Sequence, residues 1–219
     1  MARAENLTVK YGETAVLDQF SADFPDGAVT AVSGRSGCGK TTLLAVLLGL
    51  LRPDAGAFSG FQRPSAVFQE DRLLPFLSAA GNIAVAAGCT EAEAAAALCS
   101  VGFDNADSEK RGFELSGGMA RRVAIVRAML AQGDAVLLDE PFKGLDECTR
   151  EQVVRFVNER RRGRTMVVVT HDPRDAEDLH AVHALRAAPR MPPAARVKKN
   201  RKRPGIDKNP KVLSRIGRK

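Results

Sequence analysis

Between the apolar run Val29-Thr30-Ala31-Val32 and a second apolar stretch that begins at Leu43 lies Gly34-Arg35-Ser36-Gly37-Cys38-Gly39-Lys40-Thr41-Thr42. This segment constrains the fold more than any other part of the chain. Its glycines admit backbone conformations closed to other residues, so successive N–H groups can turn inward around an anion. Lys40 and Thr41 complete the phosphate-loop pattern, with an ammonium placed for the β- and γ-phosphates and a hydroxyl placed for Mg²⁺. The context is the one the pattern requires. A short strand precedes the loop, and a helix is predicted from about Lys40 to Leu50, ended near Gly49 and by Pro53. The helix N-terminus turns the positive end of its dipole toward the phosphates. Strand, glycine-rich loop and helix form the opening unit of an α/β nucleotide-binding fold, with residues 34–42 as the nucleotide contacts.

The rest of the body extends that unit. Leu7 to Tyr11 and Thr14 to Leu17 read as strands around a Gly12-Glu13 turn, and Ser65 to Phe68 as a further strand leading to Gln69. Ala135 to Leu138 and Thr165 to Thr170 are continuous apolar runs of the kind buried on both sheet faces. The Ala-rich middle predicts a helical subdomain at about residues 70–130, including a helix over Glu91 to Cys99. Ser116-Gly117-Gly118 is expected to break the chain before a helix from about Met119 to Leu130, and another helix is expected from about Glu147 to Arg161. Buried strands alternating with helices predict a largely parallel central sheet with an N-terminal antiparallel β portion.

Asp139-Glu140 follows one apolar run and His171-Asp172 the other, so these side chains emerge at strand C-termini, where open α/β sheets bind ligands. Asp139 is expected to hold Mg²⁺ directly or through water, and Glu140 to polarise a hydrolytic water. The reaction this predicts is in-line attack of water on the γ-phosphorus of ATP, with Lys40 and Mg²⁺ offsetting developing charge.

With these motifs in place, Leu115-Ser116-Gly117-Gly118-Met119-Ala120-Arg121-Arg122-Val123-Ala124-Ile125-Val126-Arg127-Ala128 resembles the signature motif and following helix of ATP-binding subunits of ABC transporters. The resemblance covers about Leu7 to Leu185 and implies a P-loop NTPase of ABC type. It implies a head-to-tail dimer with a second copy or a homologous ATPase subunit, in which Ser116, Gly117, Gly118 and Asp146 of one subunit meet ATP bound to the other. Gln69 resembles the glutamine that couples the Mg²⁺ and water site to transmembrane permease subunits. His171 resembles the histidine that touches γ-phosphate, and Tyr11 the aromatic that stacks on adenine. The segment from Phe68 to Leu77 is similar to that of importers for nitrate, sulfonate and taurine, which implies an extracytoplasmic solute-binding protein as an indirect partner. Three positions depart from the family pattern. Met119 stands where glutamine is usual, Lys143 where a small or polar residue is expected, and Cys38 occupies a variable place in the loop.

Charge separates the chain into two parts. Residues 196–219 carry a net +10 in a chain of net +7, leaving −3 on residues 1–195. The domain expected over residues 1–190 is therefore mildly acidic, and a basic, disordered tail is expected over residues 191–219. The tail offers an alternative, a soluble ABC-type ATPase acting on nucleic acid. Its lack of aromatics to stack bases argues against that. No apolar stretch reaches the roughly 20 residues that cross a bilayer, and the N-terminus lacks a secretory pattern. The expected location is the cytoplasmic face of the membrane, held there by partners. Cys38, Cys89, Cys99 and Cys148 show no paired spacing and are read as reduced thiols. His180 and His183 are read as surface residues rather than metal ligands.

Overall fold

The computed structural model describes residues 1–186; the basic tail lies outside the described residues. Two sheets form the frame. Strands β1 (Ala2–Tyr11), β2 (Thr14–Phe24) and β4 (Ala55–Ser59) make an antiparallel sheet in the order β2-β1-β4. Strands β3 (Val29–Ser33), β5 (Pro64–Val67), β6 (Ala135–Asp139), β7 (Thr165–Val169) and β8 (His183–Arg186) make a sheet in the order β5-β6-β7-β3-β8, with every pair parallel.

The parallel sheet separates two cores, and the period of two along its strands decides which side chain enters which. Ala135 and Leu137 of β6 face one core, Val136 and Leu138 the other. The first core unites the two sheets through helix α1 (Lys40–Leu47), whose Leu43, Leu44, Val46 and Leu47 pack with Leu7, Val9, Leu17 and Phe24 and with Val167 and Val169. The second core is helical. It is filled from α2 (Ala79–Ala87), α3 (Glu91–Cys99) and α5 (Gly117–Leu130), and from α6 (Glu147–Arg160) through Val153, Phe156 and Val157. Between α3 and α5 lie the short α4 (Asn105–Glu109) and a 3₁₀ turn at Gly112–Glu114; α7 (Pro173–Asp178) follows β7.

Several boundaries differ from the sequence reading. Gly117 and Gly118 do not break the chain; they form the first turn of α5, because the Ser116 side chain accepts a hydrogen bond from the Met119 N–H at 3.3 Å and caps the helix. Helix α1 ends at Leu47, before a left-handed Gly49, and β2 runs seven residues past Leu17 to Phe24, held by the edge of β1. Strand β4, helices α2, α4 and α7, and strand β8 carry no pattern strong enough to have been read. In α2 the apolar content comes mostly from alanines, with only Ile83 and Val85 besides, which give little contrast between helix faces. Helix α3 matches its expected span, fixed at its start by a reciprocal capping box between Thr90 and Glu93.

Candidate functional site

The parallel sheet brings the C-terminal ends of β3, β6 and β7 together, and the chemistry-bearing residues lie just beyond those ends. After β3 the loop turns back on itself at Gly37 (φ +78°) and Gly39 (φ +93°) before α1 begins. Gly39 is required twice over. Its left-handed φ excludes most side chains, and a Cβ there would lie 2.7 Å from the carbonyl oxygen of Val16. Lys40, at the first position of α1, is buried, and its Nζ donates to the carbonyls of Gly34 at 2.8 Å and Arg35 at 3.0 Å. The ammonium is therefore folded onto the loop, where incoming phosphate oxygens can replace the two carbonyls.

The adjacent Thr41 hydroxyl donates to Asp139 Oδ2 at 2.9 Å, joining α1 to the end of β6. Burial pushes the Asp139 carboxyl above its ordinary range, against the opposing effect of that hydrogen bond. A threonine oxygen and a buried carboxylate form a hard oxygen donor pair that suits Mg²⁺, with phosphate and water oxygens needed to complete six-coordination. Gln69 lines the same cleft.

Glu140 has a positive φ of +46°, so the chain turns sharply as it leaves β6, while its N–H donates to the Val169 carbonyl of β7 at 2.8 Å. Its Oε1 lies 2.9 Å from Nδ1 of His171, the residue after Thr170 at the end of β7. Its Oε2 lies 3.2 Å from the Lys143 ammonium, close enough to pair in charge but off the hydrogen-bond line, so that this buried oxygen has no hydrogen-bond donor. Burial opposes ionisation of Glu140, but the His171 hydrogen bond and the Lys143 charge outweigh it and hold the carboxyl below its usual value. An ionised carboxylate oriented by His171 on the wall of the cleft can accept a proton from water.

These groups share one cleft of about 570 Å³, lined by Tyr11, Val16, residues 34–37 and 39–42, Gln69, Asp139, Glu140, Lys143 and His171. Tyr11 stands on its rim, 58% exposed, with a flat ring available to a planar base. Cys38, the other residue of the expected loop set, is buried beneath the cleft, 3.9 Å from Lys40 Nζ. Ser116, Gly117, Gly118 and Asp146 are not in this cleft. Ser116 caps α5 and Asp146 caps α6, and the two caps are neighbours: a Cβ on Gly118 would lie 3.9 Å from Leu145. They form a second surface, with open space around Gly117.

Two residues of the cleft were missed in the sequence. Lys143, noted only as a departure from a pattern, stands three residues from Glu140, a spacing that could have signalled the ion pair. Val16 carried no local signal, since only the β1–β2 turn returns it to the cleft. A separate depression of about 480 Å³, lined by Arg63, Arg160, Arg162 and Arg164, lies at the opposite, N-terminal ends of the strands. Arg164 spends its donors there on the carbonyls of Met129, Ala131, Arg160 and Arg161, and Asp134 is taken by the N–H groups of Gln62 and Arg63, so these polar groups serve the fold. His180 and His183 are both exposed, and all four cysteines are free.

The phosphate loop and acid pair name a broad class of fold; the motif that opens α5 narrows it, and the family model described as ABC transporter matches residues 17–143. The chain belongs to the ABC transporter family. Within it the chain is an ATP-binding protein and an ATPase. It is 42% identical over 177 residues to an aliphatic sulfonates import ATP-binding protein of Paraburkholderia xenovorans, covering 79% of this chain and 71% of the relative. A protein of the same description from Corynebacterium glutamicum is 36% identical over 195 residues, covering 84% of this chain and 79% of the relative. The structure is similar to the dimeric structure of a bacterial ABC transporter cassette, with a TM-score of 0.76, 25% identity, and coverage of 85% of this chain and 95% of the cassette. It is also similar to an ATP-binding cassette in a post-hydrolysis state bound to ADP and phosphate, with a TM-score of 0.74 and 26% identity over 81% of this chain and 91% of the cassette. No helix among the described residues is long and apolar enough to cross a membrane.

Proposed function

We propose that this ABC ATPase drives a transmembrane permease that imports a small solute such as nitrate, a sulfonate or taurine, by hydrolysing Mg·ATP at the interface of a head-to-tail dimer. The observation that carries the catalytic part is the pair of contacts in one cleft: Thr41 to Asp139 at 2.9 Å, and His171 to Glu140 at 2.9 Å. Thr41 and Asp139 would hold Mg²⁺, with Gln69 beside them, and the ion supplies charge neutralisation to the β- and γ-phosphates. Lys40 exchanges its two loop carbonyls for phosphate oxygens. Tyr11 stacks on adenine. Glu140 takes a proton from the attacking water while His171 orients the carboxylate and contacts the γ-phosphate.

The dimer reading is supported by the second surface, where Ser116, Gly117, Gly118 and Asp146 gather without facing their own subunit's cleft. The dimeric assembly of the similar cassette supports it too. The permease reading is supported by an apolar patch beside the Gln69 segment. Phe76 is 78% exposed and meets Phe113 edge-on at 6.3 Å, with Leu74 exposed nearby. Such a patch on the surface of a domain with ordinary cores fits a partner, here a transmembrane subunit that places the ATPase at the cytoplasmic face and is fed by a solute-binding protein. The nucleic-acid alternative rests on the basic tail, outside the described residues, and the family assignment does not favour it.

Glu140→Gln tests the catalytic reading. ATP should still bind, because the phosphate loop is unchanged, while steady-state turnover falls by about 10²- to 10⁴-fold, the usual contribution of a positioned base. Undiminished hydrolysis would exclude Glu140 from that role.

A further inference from the structure

Beyond Val67 the chain leaves β5, and residues 68–74 adopt no helix or strand, yet Gln69 is delivered to the nucleotide cleft from this segment. Its backbone is held by two arginines of α5, neither of which enters the cleft. Arg121 donates from Nη1 to the Phe68 carbonyl and from Nη2 to the Gln69 carbonyl, both at 2.7 Å, and its Nε lies 3.1 Å from the Asp71 carboxylate. Arg127 donates to the carbonyls of Asp71 at 2.7 Å and Arg72 at 2.9 Å. Four carbonyls in a five-residue stretch are thus fixed by two guanidinium forks. Arg121 is only 8% exposed. Removing a fork leaves desolvated carbonyls unpaired, so the segment would shift to reach water rather than stay in place.

The helix that bears these forks is the one capped by Ser116, with Gly117 and Gly118 in its first turn. A rigid link therefore runs from that cap, along α5, through the forks to Gln69.

We infer that Arg121, backed by Arg127, is the positioning residue for Gln69 and ties the glutamine's place in the nucleotide cleft to the position of α5. The inference rests on the reading of Gln69 as part of the Mg²⁺ and water site. The forks hold the segment's backbone and the Asp71 carboxylate, and reach Gln69 only at its carbonyl, so what they transmit is the location of the segment and not any chemistry of their own.

The test is a double-mutant cycle on steady-state ATP hydrolysis and ATP binding by the purified full-length chain. Arg121→Gln keeps most of the side-chain volume and removes the fork. It should leave ATP affinity within about twofold and lower kcat by about 10- to 100-fold, the scale produced by displacing a positioning group by about 1 Å. Gln69→Ala should lower kcat comparably. The combined variant should be no more than about twofold slower than Gln69→Ala alone, because residues that act as one unit are not additive. Arg121→Lys, which restores one donor, should recover part of the rate. Arg127→Gln should reproduce the pattern and serves as the readout if Arg121→Gln does not fold. Losses that multiply in the combined variant, or a loss confined to ATP affinity, would overturn the inference alone. Wild-type turnover in Gln69→Ala would overturn the reading of Gln69 and the inference with it.

Discussion

Gly39 and Gly37 occupy the same loop, both with positive φ, yet they should respond very differently to alanine. At Gly37 (φ +78°) no atom lies within 4 Å of a built Cβ, so Gly37→Ala costs only backbone strain. Left-handed alanine costs about 1–2 kcal/mol, and the smaller unfolded-state entropy of alanine returns about 0.4–1 kcal/mol. The net expectation is a destabilisation of about 0–1.6 kcal/mol. At Gly39 (φ +93°) the same strain applies, and the Cβ also meets the Val16 carbonyl oxygen at 2.7 Å and Leu17 and Val16 side-chain carbons at 3.0 Å. The carbonyl belongs to β2 and cannot swing aside as a side chain would. Overpacking of this kind costs about 1–3 kcal/mol, which brings the total for Gly39→Ala to about 1–4.6 kcal/mol. Because Gly39 immediately precedes Lys40, relief of the clash displaces the residue proposed to contact phosphate, and ATP affinity should fall together with stability. Urea denaturation of the two variants under identical conditions, with ATP titrations on each, separates the terms. Equal destabilisation by the two substitutions would refute the reasoning, because it would mean that the close approach of β2 to the loop contributes nothing.

Two further outcomes concern the buried and hydrogen-bonded charges. Arg150 is buried against Asp175 at 2.8 Å and also pairs with Asp178, bracing α7 and the chain just after His171 against α6; Arg150→Ala should cost about 3–5 kcal/mol in urea denaturation by stranding a buried carboxylate, and a loss under about 1 kcal/mol would contradict that account. Asp134 accepts from the N–H groups of Gln62 and Arg63 at 2.6 and 3.1 Å, and although burial opposes its ionisation these bonds hold its carboxyl below its usual value. The stability it confers is therefore present above its unfolded pKa of about 3.9 and is lost as pH falls through its lower folded value; Asp134→Asn should be less stable than the parent at pH 7 and indistinguishable from it once the carboxyl is protonated in both the folded and unfolded parent, and a difference persisting in acid would show that the effect is not one of charge.

The residues of the cleft were legible one motif at a time. Gly34 to Thr42, Asp139, Glu140 and His171 each stand where an apolar strand ends, a local pattern that periodicity and residue type make visible. The wider geometry was not. That β6 and β7 lie side by side, so that Glu140 and His171 meet at 2.9 Å, depends on strand order, which no local pattern encodes. The part played by Arg121 was equally hidden, because an arginine in a predicted helix reads as a solvated charge until the segment across from it is known. Ser116-Gly117-Gly118 shows the reverse error. Two glycines read as a break, and one serine hydroxyl bonded to the Met119 N–H was enough to make them the start of α5.

The amino-acid order by itself determined the phosphate loop, the buried strands and the acids at their ends, because each depends on residues within a few positions of one another. It also determined the contrast between a mildly acidic body and a basic tail. Only the tertiary structure decided which of those ends converge, which arginines face carbonyls, and that Lys143 stands beside Glu140 with an oxygen left without a hydrogen-bond donor. The reason is physical. Backbone preferences and apolar periodicity act along the chain, whereas strand order, burial and the pairing of charges are set by packing between segments as far apart as Thr41 and Asp139.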